Sequence, residues 1–305
     1  MKIGLSSYSM DNLMQSGEMT ILDVMRFAKE NGAAHIELVP FGFTLVNDQT
    51  GEFDEALIAA IRRTSAELSL PVSNYAVLGD LLKTDPDAYR AEIARLKLHI
   101  DVAAKLGIRQ MRHDVSSFRR PLESNTQRDF EREFPQMVEA CRTLCDYAAG
   151  YGITTLVENH GFFVNGCDRV IRLMEAVARP NFRMVVDTGN FACMDECCEA
   201  AVKKCLPYAD LIHLKDFYIR RTTALPDIGG LFRCDSGSWF STVSGYSMLR
   251  GSILGQGDLR IGDIIASIRD SGFDGYVSIE FEGMEDPRAG SIAGLQAAEY
   301  FAQHA

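Results

Sequence analysis

Long apolar runs are missing from this sequence. None approaches the ~18 residues that a helical membrane span needs, so no spanning helix is expected. Basic charge is also scarce. Lys plus Arg number 31 against 42 for Asp plus Glu, and a net charge of −11 argues against a nucleic-acid-binding surface. An anionic small molecule stays open, because a local Arg pair can outweigh a distant acidic surface. The eight cysteines lack a pairing pattern: Cys141, Cys145, Cys193, Cys197 and Cys198 fall in helical or loop-like sequence without a paired CxxC. Reduced thiols are expected there, not a disulfide framework or a zinc cluster. Tryptophan occurs once, as Trp239. The opening MKIGLSSYS has neither the basic nor the apolar region of a signal peptide, so a cytoplasmic location is expected.

What is present is a chain of 305 residues, 47% hydrophobic, which can bury a large core and is long enough for one α/β barrel. Apolar runs short enough for strands alternate with segments of helical period. Lys2 to Ser6 reads as a strand. Thr20 with Asp23 opens a helix carrying Ile21, Val24, Met25 and Ala28 on one face, stopped by Asn31-Gly32. AHIELVP, VSNY and IRQMRHD read as strands two to four, separated by helices over Phe53 to Leu68 and from Asp85-Pro86 through Lys105. Phe134 to Gly150 is helical, with Pro135 predicting a late start. Strands five to eight follow at Thr154 to Glu158, Phe182 to Asp187, Asp210 to Lys215 and Tyr276 to Glu280. The helices after them are Asp168 to Ala178, Glu196 to Tyr208, Ile261 to Ser271 and a closing Pro287 to His304. Eight alternations predict a parallel sheet closed into a (β/α)8 TIM barrel, and no composition break divides residues 1–305.

Strand ends fall near Ser6, Glu37, Tyr75, His113, Glu158, Asp187, His213 and Glu280. Most are separated by the ~30–40 residues of one strand-helix unit. The interval after His213 is about twice as long, an insertion after strand seven. Its excess, residues 217–257, is rich in Gly, Ser and Arg and contains Trp239. A loop of that length leaving the face that carries chemistry in barrels is expected to act as a lid.

YADLIHLKD, from Tyr208 to Asp216, holds His213 near the end of an apolar strand. TTLVENH ends similarly at Glu158, FRMVVDTGN at Asp187 and YVSIEFEG at Glu280. Three carboxylates and an imidazole at the same end of four consecutive strands suggest ligands converging on one ion. That oxygen/nitrogen set suits Mn²⁺, Mg²⁺ or Co²⁺ with positions open to substrate, and it is unlike a closed, Cys-rich zinc site.

The segments VENHG, VVDTGN, LIHLKD and GQGDLRIGDIIASIRDSGFDGYVSIEFEG make the chain resemble the sugar phosphate isomerase/epimerase family of the xylose isomerase-like barrels. The resemblance runs along the whole chain. It implies that Glu158, Asp187, His213 and Glu280 bind one divalent metal, Mn²⁺ foremost, with Mg²⁺, Co²⁺ or Zn²⁺ as alternatives. It also implies that Glu158 and Glu280 form an acid/base pair on opposite faces of a carbohydrate substrate. The metal would acidify the C–H between a carbonyl and its neighbouring hydroxyl and stabilise the resulting enediolate. Returning the proton to the opposite face gives an epimer, and returning it to the adjacent carbon gives an aldose-ketose isomer. Expulsion of a β-substituent would instead make the protein a dehydratase or lyase.

Around that centre, Glu37 in IELVP matches the family's acidic residue at the second strand end and is expected to bond substrate hydroxyls. His113 and His160, at strand exits, are candidates to orient substrate or move protons. Lys215 and Asp216 either share that role or pair with each other. Arg220 and Arg221 either clamp a phosphate or carboxylate or stand solvated. Asn190 occupies the position where ketose 3-epimerases of the family carry a histidine, a departure that leaves the metal site intact. The histidine count, 6, does not supply the extra ligands of the three-zinc endonuclease branch. The resemblance leaves a homo-oligomer open and implies neither a membrane nor a nucleic acid as partner.

Overall fold

Each apolar run becomes a strand because a helix on its outer face and a packed interior on its inner face bury both sides. The computed structural model describes residues 1–118, 120–221 and 239–305. In chain order the elements are β1 (Lys2–Ser6), α1 (Asp11–Gln15), α2 (Ile21–Glu30), β2 (Ile36–Leu38), α3 (Glu55–Leu68), β3 (Val72–Val77), α4 (Pro86–Leu106), β4 (Gln110–His113), α5 (Gln127–Ala149), β5 (Thr154–Glu158), α6 (Cys167–Val177), β6 (Phe182–Asp187), α7 (Cys198–Cys205), β7 (Ala209–Leu214), β8 (Asp216–Arg221), β9 (Phe240–Ser241), β10 (Ser247–Ser252), α8 (Ile261–Asp270), β11 (Tyr276–Ile279) and α9 (Pro287–His304). Strands β1 to β7 and β11 close a parallel barrel in the order β1-β11-β7-β6-β5-β4-β3-β2. The expected (β/α)8 TIM barrel is what forms. Among the described residues no helix is long and apolar enough to cross a membrane.

Helix ends follow local chemistry. Thr20 and Asp23 make a reciprocal capping box at α2, and Asp85 caps α4 with Pro86 in its first turn. Gly107 closes α4 at φ 74°, a left-handed position that favours glycine. At α5 the expectation fails: the helix begins at Gln127 and Pro135 lies inside it. A proline there removes one helical hydrogen bond. The turns before it are held instead by the Thr126 cap on Asp129 and by Phe130, which is fully buried with Arg169 and Arg172 stacked on its ring.

Strand alternation sorts the core into two layers. Met111, Val157, Val186, Ile212 and Val277 face the helices in the main hydrophobic cluster. Leu156, Val185 and Leu211 form a separate small cluster with Tyr276, at the odd-even parity that faces the barrel interior. Two residues further along the same strands stand Glu158, Asp187 and His213, so the apolar plug is the floor on which the polar cluster sits.

The insertion after β7 is not a bare loop. β8, β9 and β10 make a three-stranded antiparallel sheet in the order β8-β10-β9, with Phe217 and Leu249 buried. Residues 222–238, the middle of the expected lid, lie outside the described residues. Asp216 ties the neck of this sheet. Its carboxylate accepts from the main-chain N–H of Phe217, Gly255, Gly257 and Leu259 at 2.8–3.2 Å. Gly257 is required there, since a Cβ would sit 2.3 Å from Asp216 Oδ1. Asp216 therefore pairs with backbone and not with Lys215.

Candidate metal centre

Glu158, Asp187, His213 and Glu280 each offer one ligand atom, and these atoms all lie within 4.8 Å of one another. Hydrogen bonds to the main chain aim two of them. Glu280 N donates to Leu214 O at 3.0 Å, extending the β11–β7 ladder by one residue. The Asn159 side chain bonds both the N–H and the C=O of Asp187, at 2.8 and 2.9 Å, which fixes the end of β6. Asp187 Oδ1 is occupied by the N–H groups of Gly189 and Asn190 at 2.8 and 2.7 Å, leaving Oδ2 to face the cluster.

His213 Nδ1 is 3.5 Å from Glu158 Oε1, 3.7 Å from Glu280 Oε1 and 3.8 Å from Asp187 Oδ2. These separations are too long for good hydrogen bonds. They match ligands held at ~2.0–2.2 Å from a shared cation, which stand about 3–4 Å apart. His213 Nδ1 and Asp187 Oδ2 are buried with no hydrogen-bond partner. Buried polar atoms left without a hydrogen bond need a reason, and a cation between them is one. Hard oxygens with one imidazole nitrogen fit a divalent ion.

Glu37 stands beneath His213. Its Oε2 is 2.8 Å from His213 Nε2, its Oε1 accepts from Asn74 Nδ2 at 2.7 Å, and it has no solvent exposure. Oε1 is hydrogen-bonded and Oε2 is in ion-pair contact with Nε2, which leaves Nδ1 toward the cluster. This differs from the expected contact with substrate hydroxyls. Asn190 is drawn into the site: its Nδ2 donates to Glu158 Oε1 at 3.1 Å, and its Oδ1 is 3.4 Å from Lys215 Nζ. Lys215 is buried with its Nζ 2.6 Å from Glu280 Oε2, 3.2 Å from Asp187 Oδ2 and 3.2 Å from Glu282 Oε1. His160 sits on the rim with Nδ1 3.1 Å from Asp114 Oδ1.

His113 and Arg220 are elsewhere. His113 Nδ1 bonds the main-chain O of Asp114, and the side chain shares the outward parity of Met111. Its neighbour Arg112 takes the inward place, 2.8 Å from Glu158 Oε2. Arg220 is exposed on β8, stacked on Trp239 and 3.7 Å from Asp258. Sequence reasoning missed Arg112, Glu282 and Tyr8, whose hydroxyl lies in the fields of Glu282, Lys215 and Glu280. Counting alternate residues back from Glu158 signals none of them, but the pairing of Met111 with Arg112 on β4 would have signalled the first.

The charges divide the two glutamates. Burial would raise Glu158, but Arg112 and then His213 overcome it and hold its carboxyl well below the ordinary range. Glu280 is pushed up to about 7, by burial first and by Glu158 and Asp187 next, against the pull of Lys215 and His213. Burial would lower His213, yet Glu37, Glu280 and Glu158 raise it well above its ordinary value.

A parallel eight-stranded barrel with an acidic and histidine cluster at the C-terminal strand ends defines the class. Within it, the chain belongs to the xylose isomerase-like TIM barrel family, whose profile matches residues 25–300. Solved structures share the fold along nearly their full lengths. The probable 3-DHS dehydratase AsbF of Bacillus anthracis is 18% identical with a TM-score of 0.70, covering 98% of this chain and 99% of its own. D-allulose 3-epimerase of Methylomonas sp. is 16% identical with a TM-score of 0.69, covering 99% and 97%. The IOLI protein with a bound zinc atom is 15% identical with a TM-score of 0.69, covering 99% and 98%. No curated protein is a significant match in sequence.

Proposed function

We propose that the protein is a divalent-metal-dependent isomerase or epimerase acting on a ketose, a sugar phosphate or a related polyol ketone. The observation that carries this reading is the set of one imidazole nitrogen and three carboxylate oxygens within 4.8 Å of one another, of which His213 Nδ1 and Asp187 Oδ2 are buried without a hydrogen-bond partner. Glu158 Oε1, Asp187 Oδ2, His213 Nδ1 and Glu280 Oε1 would hold the ion, with Mn²⁺ the first choice and Mg²⁺, Co²⁺ or Zn²⁺ the alternatives. Bound there, a divalent ion supplies Lewis acidity to a carbonyl and its neighbouring hydroxyl and stabilises the charge left by proton loss.

The chain's own groups do the rest. Glu158, held ionised, accepts the proton from the carbon next to the carbonyl. Glu280 returns one on the other side. Asn190 keeps Glu158 Oε1 in place, and the Lys215 ammonium steadies Glu280 through Oε2. His160, anchored on Asp114 at the rim, is positioned to bond a substrate hydroxyl. Residues 217–257 are assigned the role of a cover over this mouth.

A second reading, a metal-dependent dehydratase or other β-eliminating lyase, uses the same first proton transfer. It is favoured by a further proton carrier beside the acidic pair, His160, and by the likeness to a probable dehydratase. Mass-resolved product analysis in D₂O separates the two. Protein loaded with Mn²⁺, and a chelated control, would meet ketoses, ketose phosphates, inososes and 3-keto-glycosides. An isomer carrying deuterium at one carbon supports the leading reading, and loss of water or an aglycone supports the second. Absence of metal-dependent exchange across the panel would overturn both.

Glu37→Gln is a further check on the ligand set. It exchanges the anion behind His213 for a neutral amide, and Mn²⁺ affinity measured by calorimetry is expected to fall about 10–100-fold. Unchanged affinity would remove Glu37 from the support of the site.

A further inference from the structure

Arg112 is a permanent cation buried beside the residues assigned to hold another cation. Its Nη2 lies 2.8 Å from Glu158 Oε2 and 2.7 Å from Asp114 Oδ1, and its Nη1 donates to Val77 O at 3.4 Å. Asp114 Oδ1 is also 3.1 Å from His160 Nδ1, so the guanidinium is anchored from β3, the segment after β4 and the end of β5 together. Buried ion pairs are weak sources of stability, because desolvation offsets most of the attraction. A position so elaborately held calls for a reason other than stability.

The reason is visible at Glu158. One oxygen, Oε2, is covered by Arg112. The other, Oε1, accepts from Asn190 Nδ2 at 3.1 Å and is the atom 3.5 Å from His213 Nδ1. A carboxylate with both oxygens free can chelate an ion with both, raising its coordination number and filling a position that a substrate oxygen needs. We propose that Arg112 is a positioning residue that occupies Glu158 Oε2, so that Glu158 offers a single oxygen to the ion and the substrate, with Asp114 and His160 holding Arg112 in place. This rests on the proposed metal site.

The consequence has a sign that a scaffolding residue would not produce. Removing Arg112 takes a positive charge away from a dication and frees a second donor oxygen, so ion binding tightens while turnover falls. The test uses Arg112→Met, and Arg112→Lys, which lacks the second nitrogen that bonds Val77 O. Free-Mn²⁺ titration by EPR is expected to give a dissociation constant about fivefold or more lower for Arg112→Met, since a like charge near the ion is lost. With Co²⁺ as probe, the visible d–d bands are expected to weaken as coordination number rises. Weaker Mn²⁺ binding, or Co²⁺ bands unchanged from wild type, would overturn the proposal. If Arg112→Met does not fold because Asp114 is left uncompensated, Arg112→Met/Asp114→Asn carries the same measurements.

A wild-type protein that binds neither ion overturns the metal reading, and the contact itself is then tested without metal. Thermal unfolding of Arg112→Met, Glu158→Gln and the double variant forms a mutant cycle. A smaller drop on losing Arg112 in the Glu158→Gln background is expected. Equal drops in both backgrounds would show that Arg112 does not act through Glu158.

Discussion

Glu158→Gln is expected to reduce turnover by about 10²–10⁴-fold, the range over which a positioned general base contributes, while the chain still folds. An amide of the same shape keeps an oxygen toward His213 and the Asn190 side chain but cannot accept the substrate proton. Arg112 loses one anionic partner and keeps the other, Asp114 at 2.7 Å, so its guanidinium is not left unpaired in the interior. Leu156, two residues earlier, still closes the floor of the site, and the β5–β6 ladder is untouched. The measurement is the rate of deuterium incorporation in the substrate panel, with thermal unfolding and circular dichroism alongside. Normal exchange in a folded Glu158→Gln variant would sink the acid/base assignment. Loss of exchange together with loss of the unfolding transition would mean that Glu158 is needed for the fold, and the comparison with Glu280→Gln would then decide its chemical role.

His213→Ala is expected to release the ion on dialysis, with Mn²⁺ affinity falling by more than the ~10–100-fold that a supporting partner costs. It removes the one nitrogen donor of the set and leaves Glu37 buried with Asn74 as its sole partner. The intact protein has a matching pH signature. In the metal-free chain burial opposes a charge on His213, but Glu37, Glu280 and Glu158 outweigh it and keep the imidazole protonated above its ordinary range. Glu280 holds its proton up to about 7. An ion needs both groups deprotonated, so the metal-free state carries more protons than the loaded one and affinity rises with pH. Calorimetry in buffers of different ionisation enthalpy is expected to show release of about one to two protons per ion near neutral pH. Binding that releases no proton, or retained metal in dialysed His213→Ala, would remove His213 from the ligand set.

The barrel and the position of its chemical end were legible because they are local properties. Thr20 with Asp23, and Asp85 with Pro86, mark helix starts by hydrogen bonds spanning three residues. Leu156, Val185 and Leu211 alternate with Glu158, Asp187 and His213 at a period of two, which any strand imposes on its own side chains. The acidic and histidine residues could thus be assigned to one face and one end before their distances were known.

What only the tertiary structure decided depends on atoms far apart in the chain. Pro135 broke a local rule at α5, because the burial of Phe130 and its arginine neighbours outweighed one missing hydrogen bond. Arg112 and His113 are both polar at the end of a short strand, and the packing of Met111 against the helices settled which of them faces inward. Glu37, expected to bond substrate hydroxyls, lies against His213 because β2 and β7 meet across the barrel interior. Asp216 found three N–H groups on a segment that returns about forty residues later to close the neck of the small sheet, a contact no local pattern encodes. Periodicity and capping are written residue by residue, so the sequence alone determined the barrel and the face that carries its polar residues. Partner choice among buried charges is set by the closed barrel, which brings side chains far apart in sequence within 3 Å of one another, and that only the folded molecule decides.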